Sequence, residues 1–243
     1  MADYPAFQPL QPKIVLGIAA HPDDLEFSAS GTMAKYIAAG AKGYYFILTN
    51  ASKGTSDRSI TPEQIRDTRR DEQRAAAKIL GLTDVFFGDY EDGALEVTQA
   101  LKRDIARVIR MVKPDVVITM DPTNIYSAEH GFINHTDHRA AGQATLDAVY
   151  PLARDHLAFP ELLQEGHEPH KTATVLMTNF DAHNFYVDIS AHMDTKLAAL
   201  HAHASQVPDP NATDEFLRKQ AARAGSKVGA AYAEAFVRID LAI

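Results

Sequence analysis

Residues 14–24 read Ile-Val-Leu-Gly-Ile-Ala-Ala-His-Pro-Asp-Asp, and this stretch decides the fold. Its apolar part has the length and composition of a strand that is buried in a parallel sheet. A histidine and two carboxylates follow at the carboxyl end of that strand, which is the end where open α/β sheets bind their ligands. Pro22 fixes its own φ and favours an extended His21. The stretch therefore predicts a parallel sheet with a stiff polar turn at its ligand-binding edge.

Strand-like and helix-like stretches alternate outward from this strand. Thr61-Pro62-Glu63-Gln64 predicts a helix start, because Thr caps, Pro fits the first helical position and Gln completes a capping box. The predicted strands are 13–19, 44–49, 85–87, 115–120, 173–177 and 185–189. The predicted helices are 25–39, 61–80, 98–112, 190–203 and 212–222, and the last of them is expected to continue after a break at Gly225. This alternation predicts a single α/β domain over residues 1–243, a Rossmann-like three-layer (αβα) sandwich with a mostly parallel sheet.

A second polar cluster, His-Gly-Phe-Ile-Asn-His-Thr-Asp-His-Arg at residues 130–139, follows the apolar run at 115–120. His135 and His138 are three residues apart and share one face if a helix starts there. Two adjacent carboxylates, such as Asp23 and Asp24, repel each other unless a cation or a proton lies between them. The two clusters together favour a metal site of His, Asp and His with an open position, over the alternative of ordinary polar loops.

Composition excludes several classes of protein. The formal net charge of −8 argues against nucleic-acid partners and against binding to anionic membranes. No apolar run approaches the roughly 18 residues that a membrane span needs. The chain has no cysteine, which rules out disulfides and thiolate metal sites and fits a cytoplasmic location. Residues 1–12 lack the basic start and apolar core of a secretory signal.

Both motifs resemble those of the LmbE-like, or PIG-L, family of zinc-dependent N-acetylglucosamine deacetylases. Ala20-His21-Pro22-Asp23-Asp24-Leu25-Glu26 with Gly31-Thr32 resembles the first family motif, and Asn134-His135-Thr136-Asp137-His138-Arg139-Ala140 resembles the second. Arg69-Arg70-Asp71-Glu72 resembles the Arg-x-x-Glu helix of the family, and Tyr232-Ala233-Glu234-Ala235-Phe236 resembles a later signature. The resemblance spans residues 13 to about 238 and implies removal of an acetyl group from an amino sugar.

The resemblance also implies a role for each motif residue. It makes His21, Asp24 and His138 the metal ligands and Asp23 the general base toward a metal-bound water. His135 would lie near the developing oxyanion, with a hydrogen bond to a neighbouring group as the alternative. Zinc is the expected metal, although such donors also accept Fe²⁺, Co²⁺ or Mn²⁺. The family suggests a homo-oligomer, a trimer or a hexamer, that acts on a small amino-sugar substrate.

Three further residues keep two interpretations each. Arg69 and Asp92 match positions where the family contacts the sugar. The alternatives are a surface ion pair of Arg69 with Glu72 or Gln73, and a tight Asp-Gly turn at Asp92. Asp137 either orients an imidazole or caps the following helix.

One position departs from the family pattern. Ser52 occupies a place where the family usually has an acid. This replacement, with Lys53 beside it, raises the hypothesis of an anionic sugar conjugate as the substrate.

Two other functions compete with deacetylation. A metallophosphoesterase also uses His/Asp clusters at strand ends, but two-metal enzymes need more ligands than the single set found here. A non-catalytic nucleotide-binding module would need a Gly-rich phosphate loop after the first strand, and two carboxylates stand there instead. The sequence therefore favours a metal-dependent amidase.

Overall fold

The computed structural model describes residues 8–128 and 131–242. The prediction that residues 1–12 are not a secretory signal falls largely on residues 1–7, which lie outside the described residues. Across the two described ranges, no helix combines the length and the apolar composition that crossing a membrane requires.

Seven strands form one sheet, as the alternating pattern predicts. They are β1 (Ile14–Ala19), β2 (Lys42–Thr49), β3 (Asp84–Tyr90), β4 (Val116–Met120), β7 (Thr174–Thr178), β8 (Phe185–Asp188) and β9 (Ala233–Asp240). Their order in the sheet is β3-β2-β1-β4-β7-β9-β8. The first five are mutually parallel, and only β9 runs antiparallel to both of its neighbours. The predicted mostly parallel sheet is confirmed.

Helices cover both faces of this sheet, which confirms the three-layer α/β sandwich. They are α1 (Asp24–Ser28), α2 (Ser30–Ala38), α3 (Pro62–Leu80), α4 (Gln99–Val112), α5 (Thr136–Asp147), α6 (Pro160–Gln164), α7 (Met193–His201) and α8 (Pro210–Gly225). A short π-helical segment, Ala148–Leu152, follows α5. Helices α2 and α3 pack against α7, whereas α4 and α5 pack against each other.

The start of α3 follows the predicted capping box. Thr61 Oγ1 accepts the amide of Gln64 at 3.3 Å, and Gln64 Oε1 accepts the amide of Thr61 at 2.8 Å. The helix ends at Gly81, whose φ of 77° closes the last turn in the left-handed region that glycine adopts at little cost.

Three helix predictions need correction. The single helix predicted over 25–39 is broken at Ala29, which has a non-helical φ of −144°, into α1 and α2. Ser190 does not cap α7, because its hydroxyl donates to Asp188 Oδ1 at 2.6 Å and the helix begins at Met193. The predicted continuation of the last helix past Gly225 is wrong, because α8 ends at Gly225 and residues 233–240 form β9, which pairs with β7 and β8.

The topology brings the two polar motifs to one edge. Strand β1 pairs with β2 on one side and β4 on the other, so the strand order reverses between β1 and β4. Ligands of open α/β sheets bind beyond the carboxyl ends of strands at such a reversal. After β4 the chain forms a small hairpin of β5 (Tyr126–Ser127) and β6 (Phe132–Ile133) and then enters α5, whose first turn holds the second motif.

Candidate functional site

His21 stands at the carboxyl end of β1 with its ring buried. Its backbone amide donates to Asp24 Oδ2 at 2.7 Å, so the His-Pro-Asp-Asp turn closes on itself. Asp23, inside that turn, has a φ of 85°, a left-handed conformation that is costly for a residue other than glycine. The turn therefore holds backbone strain at the position predicted to supply the general base.

The three predicted metal ligands lie together. Asp24 places Oδ2 3.5 Å from His21 Nδ1 and Oδ1 3.0 Å from His138 Nε2, so its carboxylate sits between the two imidazoles. The ring centroids of His21 and His138 are 5.4 Å apart. Neutral imidazole and carboxylate are donors that suit a divalent cation of intermediate softness such as zinc.

Two other sets of donors share His21. The ring nitrogens of His21, His135 and His138 lie within 4.8 Å of one another, and so do donor atoms of His21, Asp92 and Asp137. Asp92 Oδ1 and Asp137 Oδ2 are 3.1 Å and 3.2 Å from His21 Nε2, on the side of the ring away from Nδ1. An imidazole binds a single metal ion through only one of its two nitrogens. Nδ1 and Nε2 of His21 therefore have different roles, one toward a metal and the other toward a hydrogen-bond acceptor.

The carboxylate of Asp137 already has backbone partners. It accepts the amides of Gly93 at 2.6 Å and Leu95 at 3.1 Å, and its side chain is fully buried. A carboxylate held in this way is a fixed acceptor for His21 Nε2–H, which leaves Nδ1 free to bind a metal beside Asp24.

Asp137 does not cap α5 with its side chain. The ring Nδ1 of His135 accepts the backbone amide of Asp137 at 3.2 Å, so His135 is the capping residue. Of the two interpretations of Asp137, the geometry fits orientation of an imidazole. It also puts the N–H of a neutral His135 on Nε2.

The charges around His21 favour a cation. Burial lowers the pKa of His21, but hydrogen bonds to Asp137, Asp24 and Asp92 outweigh it and raise the pKa to about 11. The same contacts hold the pKa of Asp92 and of Asp137 below its usual value, although burial acts to raise both. Burial and the positive charges of His21 and His138 lower the pKa of His135.

Asp23 lies beside Arg69, whose guanidinium is 3.7 Å from Asp23 Oδ2. Burial and the repulsion of Asp24 raise the pKa of Asp23 to about 7, and Arg69 opposes them. The sequence interpretation assumed a cation beside Asp23 and a depressed pKa. With only the charges of the protein itself, the pKa of Asp23 lies near neutrality, which is the range that suits a general base.

Arg69 is buried in the site rather than exposed on the helix. It donates to the carbonyl oxygens of Pro22 at 3.1 Å and Lys53 at 3.2 Å, and it lies 3.9 Å from Asp92. Glu72 instead accepts the amide and hydroxyl of Ser205. The alternative of a surface ion pair for Arg69 is therefore wrong, and the predicted sugar contact stays a prediction.

Lys53 is engaged with neighbouring acidic residues. Its ammonium donates to Glu91 Oε1 at 3.2 Å and to the carbonyl of Asp92. Because this cation already has anionic and carbonyl partners, it gives no support to the hypothesis that the substrate is an anionic conjugate.

Several residues of the site were not predicted. Asn134 Oδ1 lies 3.1 Å from His138 Nδ1, while the side-chain Nδ2 of Asn134 donates to the carbonyl oxygen of Asn124 at 2.7 Å. Behind Asp23, Gln73 Oε1 accepts the Asp23 amide at 3.3 Å, and Gln73 Nε2 donates to Glu26 Oε1 at 2.9 Å. Asn134 and Glu26 lie inside the two recognised motifs, so their motif positions could have indicated a role in the site. No sequence pattern indicated a role for Gln73.

A protein-family model described as PIG-L: GlcNAc-PI de-N-acetylase matches residues 16–149, more than half of the chain. The diacetylchitobiose deacetylase of Thermococcus kodakarensis is 32% identical over 224 residues, which cover 91% of this chain and 81% of that protein. The 1D-myo-inositol 2-acetamido-2-deoxy-alpha-D-glucopyranoside deacetylase of Thermomonospora curvata is 27% identical, with 79% of this chain and 80% of that protein covered.

The solved structure of N,N'-diacetylchitobiose deacetylase from Pyrococcus horikoshii in complex with its inhibitor MPG superposes with a TM-score of 0.86. It is 29% identical, with 94% of this chain and 84% of that chain covered. One relative has a different chemistry: the 4-oxalmesaconate hydratase of Pseudomonas putida is 27% identical, with 80% of this chain and 74% of that protein covered. Neither a phosphoesterase nor a nucleotide-binding module is among these similar proteins.

Proposed function

Because the chain belongs to the PIG-L family of de-N-acetylases, we propose that it removes the N-acetyl group from an N-acetylglucosamine-type sugar with the help of a bound divalent metal. The observation that carries the proposal is the division of the adjacent acids in the first motif. Asp24 faces His21 and His138, whereas Asp23 turns toward Arg69. This division supports metal ligation by Asp24 and proton acceptance by Asp23.

The residues fit a metal ion by their chemistry. The fixed acceptors at His21 Nε2 leave Nδ1 for ligation, and Asp24 and His138 supply the other donors. We propose zinc, with Fe²⁺, Co²⁺ or Mn²⁺ as the other candidates for the same donors. Such an ion, when bound, acidifies a water molecule and polarises the amide carbonyl.

Asp23 acts as the general base. A divalent cation beside this carboxylate would favour its ionised form, and the residue is anchored by Arg69 at its side chain and by Gln73 at its backbone amide. A group positioned in this way can take a proton from the attacking water and pass it on to the leaving amine.

His135 stabilises the oxyanion. Its pKa is lowered, so the ring is neutral at neutral pH, and its Nδ1 is occupied by the Asp137 amide. The Nε2–H of this exposed residue can then donate to negative charge that develops on the carbonyl oxygen. Asp137 contributes indirectly, because it holds the ring of His21.

Arg69 and Asp92 remain our proposed contacts to the sugar, as in the family resemblance. Both are nearly buried, and Asp92 also touches His21 Nε2. Asp92 could therefore also hold the imidazole of His21 in place, and a substitution at Asp92 distinguishes this role from a sugar contact.

The test is a panel of N-acetylated amino sugars assayed for release of free amine. The protein is first treated with a chelator and then supplied with zinc, iron, cobalt or manganese. We expect amine release from N-acetylglucosamine or its conjugates that depends on the added metal. Hydration of an unsaturated dicarboxylate, with no amine released from any sugar, would instead assign the chemistry of the hydratase relative. Cleavage of phosphate esters that needs two ions per chain would indicate a phosphoesterase.

Two properties stay predictions. We expect a homo-oligomer of three or six subunits, which light scattering after size-exclusion chromatography measures directly. We also expect a cytoplasmic location, which fractionation of cells that express the full chain would test.

A further inference from the structure

The backbone conformation of Asp23 departs from that of an ordinary helix cap. An aspartate directly before a helix usually has an extended backbone, and its carboxylate accepts an amide of the first helical turn. Asp23 stands directly before α1, but its φ is 85° and its ψ is −28°. Within the described part of the chain, its side chain makes no capping hydrogen bond. This left-handed conformation keeps the carboxylate from the helix, and it persists only where surrounding contacts stabilise it.

Two side chains of α3 hold the peptide group between Pro22 and Asp23. Arg69 Nη2 donates to the carbonyl oxygen of Pro22 at 3.1 Å, and Gln73 Oε1 accepts the amide of Asp23 at 3.3 Å. Arg69 and Gln73 are four residues apart, so they lie on the same face of α3. The carbonyl of Asp23 accepts the amide of Phe27 at 3.0 Å, which is the first bond of α1. Contacts on both sides of Asp23 therefore fix its backbone angles.

Gln73 is itself held by a buried carboxylate. Its Nε2 donates to Glu26 Oε1 at 2.9 Å, and both side chains are completely buried. Glu26 Oε2 in turn lies 3.5 Å from Nε2 of His203, which is also completely buried. A side-chain amide accepts through its oxygen and donates through its nitrogen, so it can link the Asp23 amide to a carboxylate. The opposite orientation of the Gln73 amide would set donor against donor and acceptor against acceptor.

We propose that Gln73, held by Glu26, is a positioning residue that keeps Asp23 in the left-handed conformation and its carboxylate free to act as a base. The inference rests on the proposed function, in which Asp23 accepts the proton of the attacking water. The hydrogen bond of Gln73 goes to the backbone of Asp23, so Gln73 acts through geometry and not through proton transfer. Without it, Arg69 holds the peptide at its carbonyl alone. Asp23 should then relax to an extended backbone, and its carboxylate should cap α1.

Gln73→Met removes both hydrogen bonds and keeps a side chain of similar length. With N-acetylglucosamine and full zinc occupancy, kcat should fall about 100-fold, the loss that a misplacement of about 1 Å causes. KM and zinc affinity should stay nearly unchanged, because the proposed ligands are untouched. Gln143→Met is the matched control. Gln143 also donates to a carboxylate, that of Asp147 at 2.8 Å, but it is exposed on α5, and its substitution should change none of these quantities.

An exchange of the two side chains distinguishes positioning from packing. In the double variant Glu26→Gln/Gln73→Glu, a carboxylate at position 73 still accepts the Asp23 amide, and the amide at position 26 donates to that carboxylate. The double variant should recover most of the kcat that Gln73→Met loses. If it is folded and loaded with zinc but as slow as Gln73→Met, the acceptor at the Asp23 amide is not what sets the rate, and the inference is overturned.

Two measurements do not need turnover. In a crystal structure of Gln73→Met, the φ of Asp23 should be negative, and its carboxylate should accept an amide in the first turn of α1. Hydrogen exchange of the Asp23 amide, followed by NMR on the metal-free protein, should accelerate about tenfold, as expected for the loss of one hydrogen bond. Gln143→Met should match the unsubstituted protein in both measurements. A left-handed Asp23 with a slowly exchanging amide in Gln73→Met would contradict the inference.

These readouts separate the inference from the proposed function. If the unsubstituted protein releases amine and Gln73→Met is equally fast, the positioning role falls and the proposed function stands. If no amide is hydrolysed, the proposed function falls, and the φ of Asp23 in Gln73→Met still decides whether Gln73 holds the turn. A kcat that falls only in proportion to zinc content would assign Gln73 to the metal and overturn the inference. If Gln73→Met does not fold, Glu26→Gln/Gln73→Met replaces it with the same expectations, because it leaves no carboxylate buried beside the methionine.

Discussion

The ammonium of Lys196 lies 2.7 Å from Glu234 Oε1, and both side chains are almost completely buried. The two oxygens of Glu234 also accept the amides of Gly31 at 3.0 Å and Thr32 at 2.7 Å, at the start of α2. Lys196 donates in addition to the carbonyl of Phe27 at 2.8 Å, near the end of α1. The pair therefore ties α7 and β9 to the break between α1 and α2, next to the ligand turn.

Removing the charge of Lys196 should destabilise the protein. We expect Lys196→Met to lower the free energy of unfolding by about 3–5 kcal/mol, because it leaves the carboxylate of Glu234 buried without its cation. Urea denaturation measures the change. The control is Asp194→Asn. Asp194 lies on the same helix as Lys196 and forms an exposed ion pair with Arg218 of α8, so its loss should cost less than about 1 kcal/mol. Similar losses for both variants would mean that burial of the pair is unimportant.

Substitutions in the first motif should separate metal binding from turnover. His21→Ala and His138→Ala should lose the metal and the activity together. Asp23→Asn should keep the metal and lose most of the turnover, because the side chain can no longer accept a proton. Asparagine is preferred here since it tolerates the left-handed φ of this position better than alanine. The checks are metal content per chain and amine release; equal metal loss in all three variants would contradict the assignment.

Asp137 should act on the metal through His21. We expect Asp137→Asn to weaken metal affinity by about 10–100-fold, because the amide is a poorer acceptor for His21 Nε2–H. Competition with a chromogenic chelator measures this affinity. Asp147→Asn, at the opposite end of α5, keeps the helix and should leave the affinity unchanged. The two variants behaving alike would remove Asp137 from the metal site.

Asp92 has two roles open to it, and kinetics distinguish them. If it contacts the sugar, Asp92→Asn should raise KM at full metal occupancy and leave metal affinity unchanged. We expect this result; a lower metal affinity with KM nearly constant would instead assign Asp92 to holding the imidazole, which its burial and its 3.1 Å contact with His21 also allow. Titration of activity against zinc at saturating and limiting substrate gives both quantities.

His203 should make stability depend on pH. Burial lowers its pKa, but the carboxylate of Glu26, whose Oε2 lies 3.5 Å from His203 Nε2, outweighs this and holds the pKa above its ordinary value of about 6.5. A raised histidine pKa stabilises the fold below the unfolded value and loses that contribution as the pH rises through the folded value. The stability of the protein relative to His203→Gln should therefore decline above about pH 6.5.

Urea denaturation between pH 5.5 and 9 tests the His203 prediction. His156→Gln, at an exposed histidine, is the control and should give a curve parallel to that of the unsubstituted protein. A parallel curve for His203→Gln would show that the Glu26 contact has no net energetic effect.

Local patterns predicted most of the fold. Strand β1 is an uninterrupted apolar run, and the capping box at Thr61 specifies its helix start through bonds between residues only three apart. Strand β9 was not predicted, because it is stabilised by pairing with β7 and β8, whose residues are distant from it in sequence. The break at Ala29 escaped for the same reason, since Glu234 supplies the acceptors that start α2.

The site divides in the same way. The two motifs specified which residues gather, because each follows a strand that ends at the same edge of the sheet. Their partners could not be read from spacing. Asp137 is held by the amides of Gly93 and Leu95, more than forty residues away in sequence, and His203 faces Glu26 across an even longer separation.

The place of β9 in the sheet has a consequence for how the molecule is made. Strand β8 has only β9 beside it, so it stays without a neighbour until residues 233–240 have left the ribosome. During the same interval, Lys196 lacks its ion-pair partner Glu234, and the backbone amides of Gly31 and Thr32 lack the carboxylate that accepts them. The strands that are parallel all precede β8 and β9 in sequence, whereas the ligand turn gains its final support only after residues 233–240 have emerged.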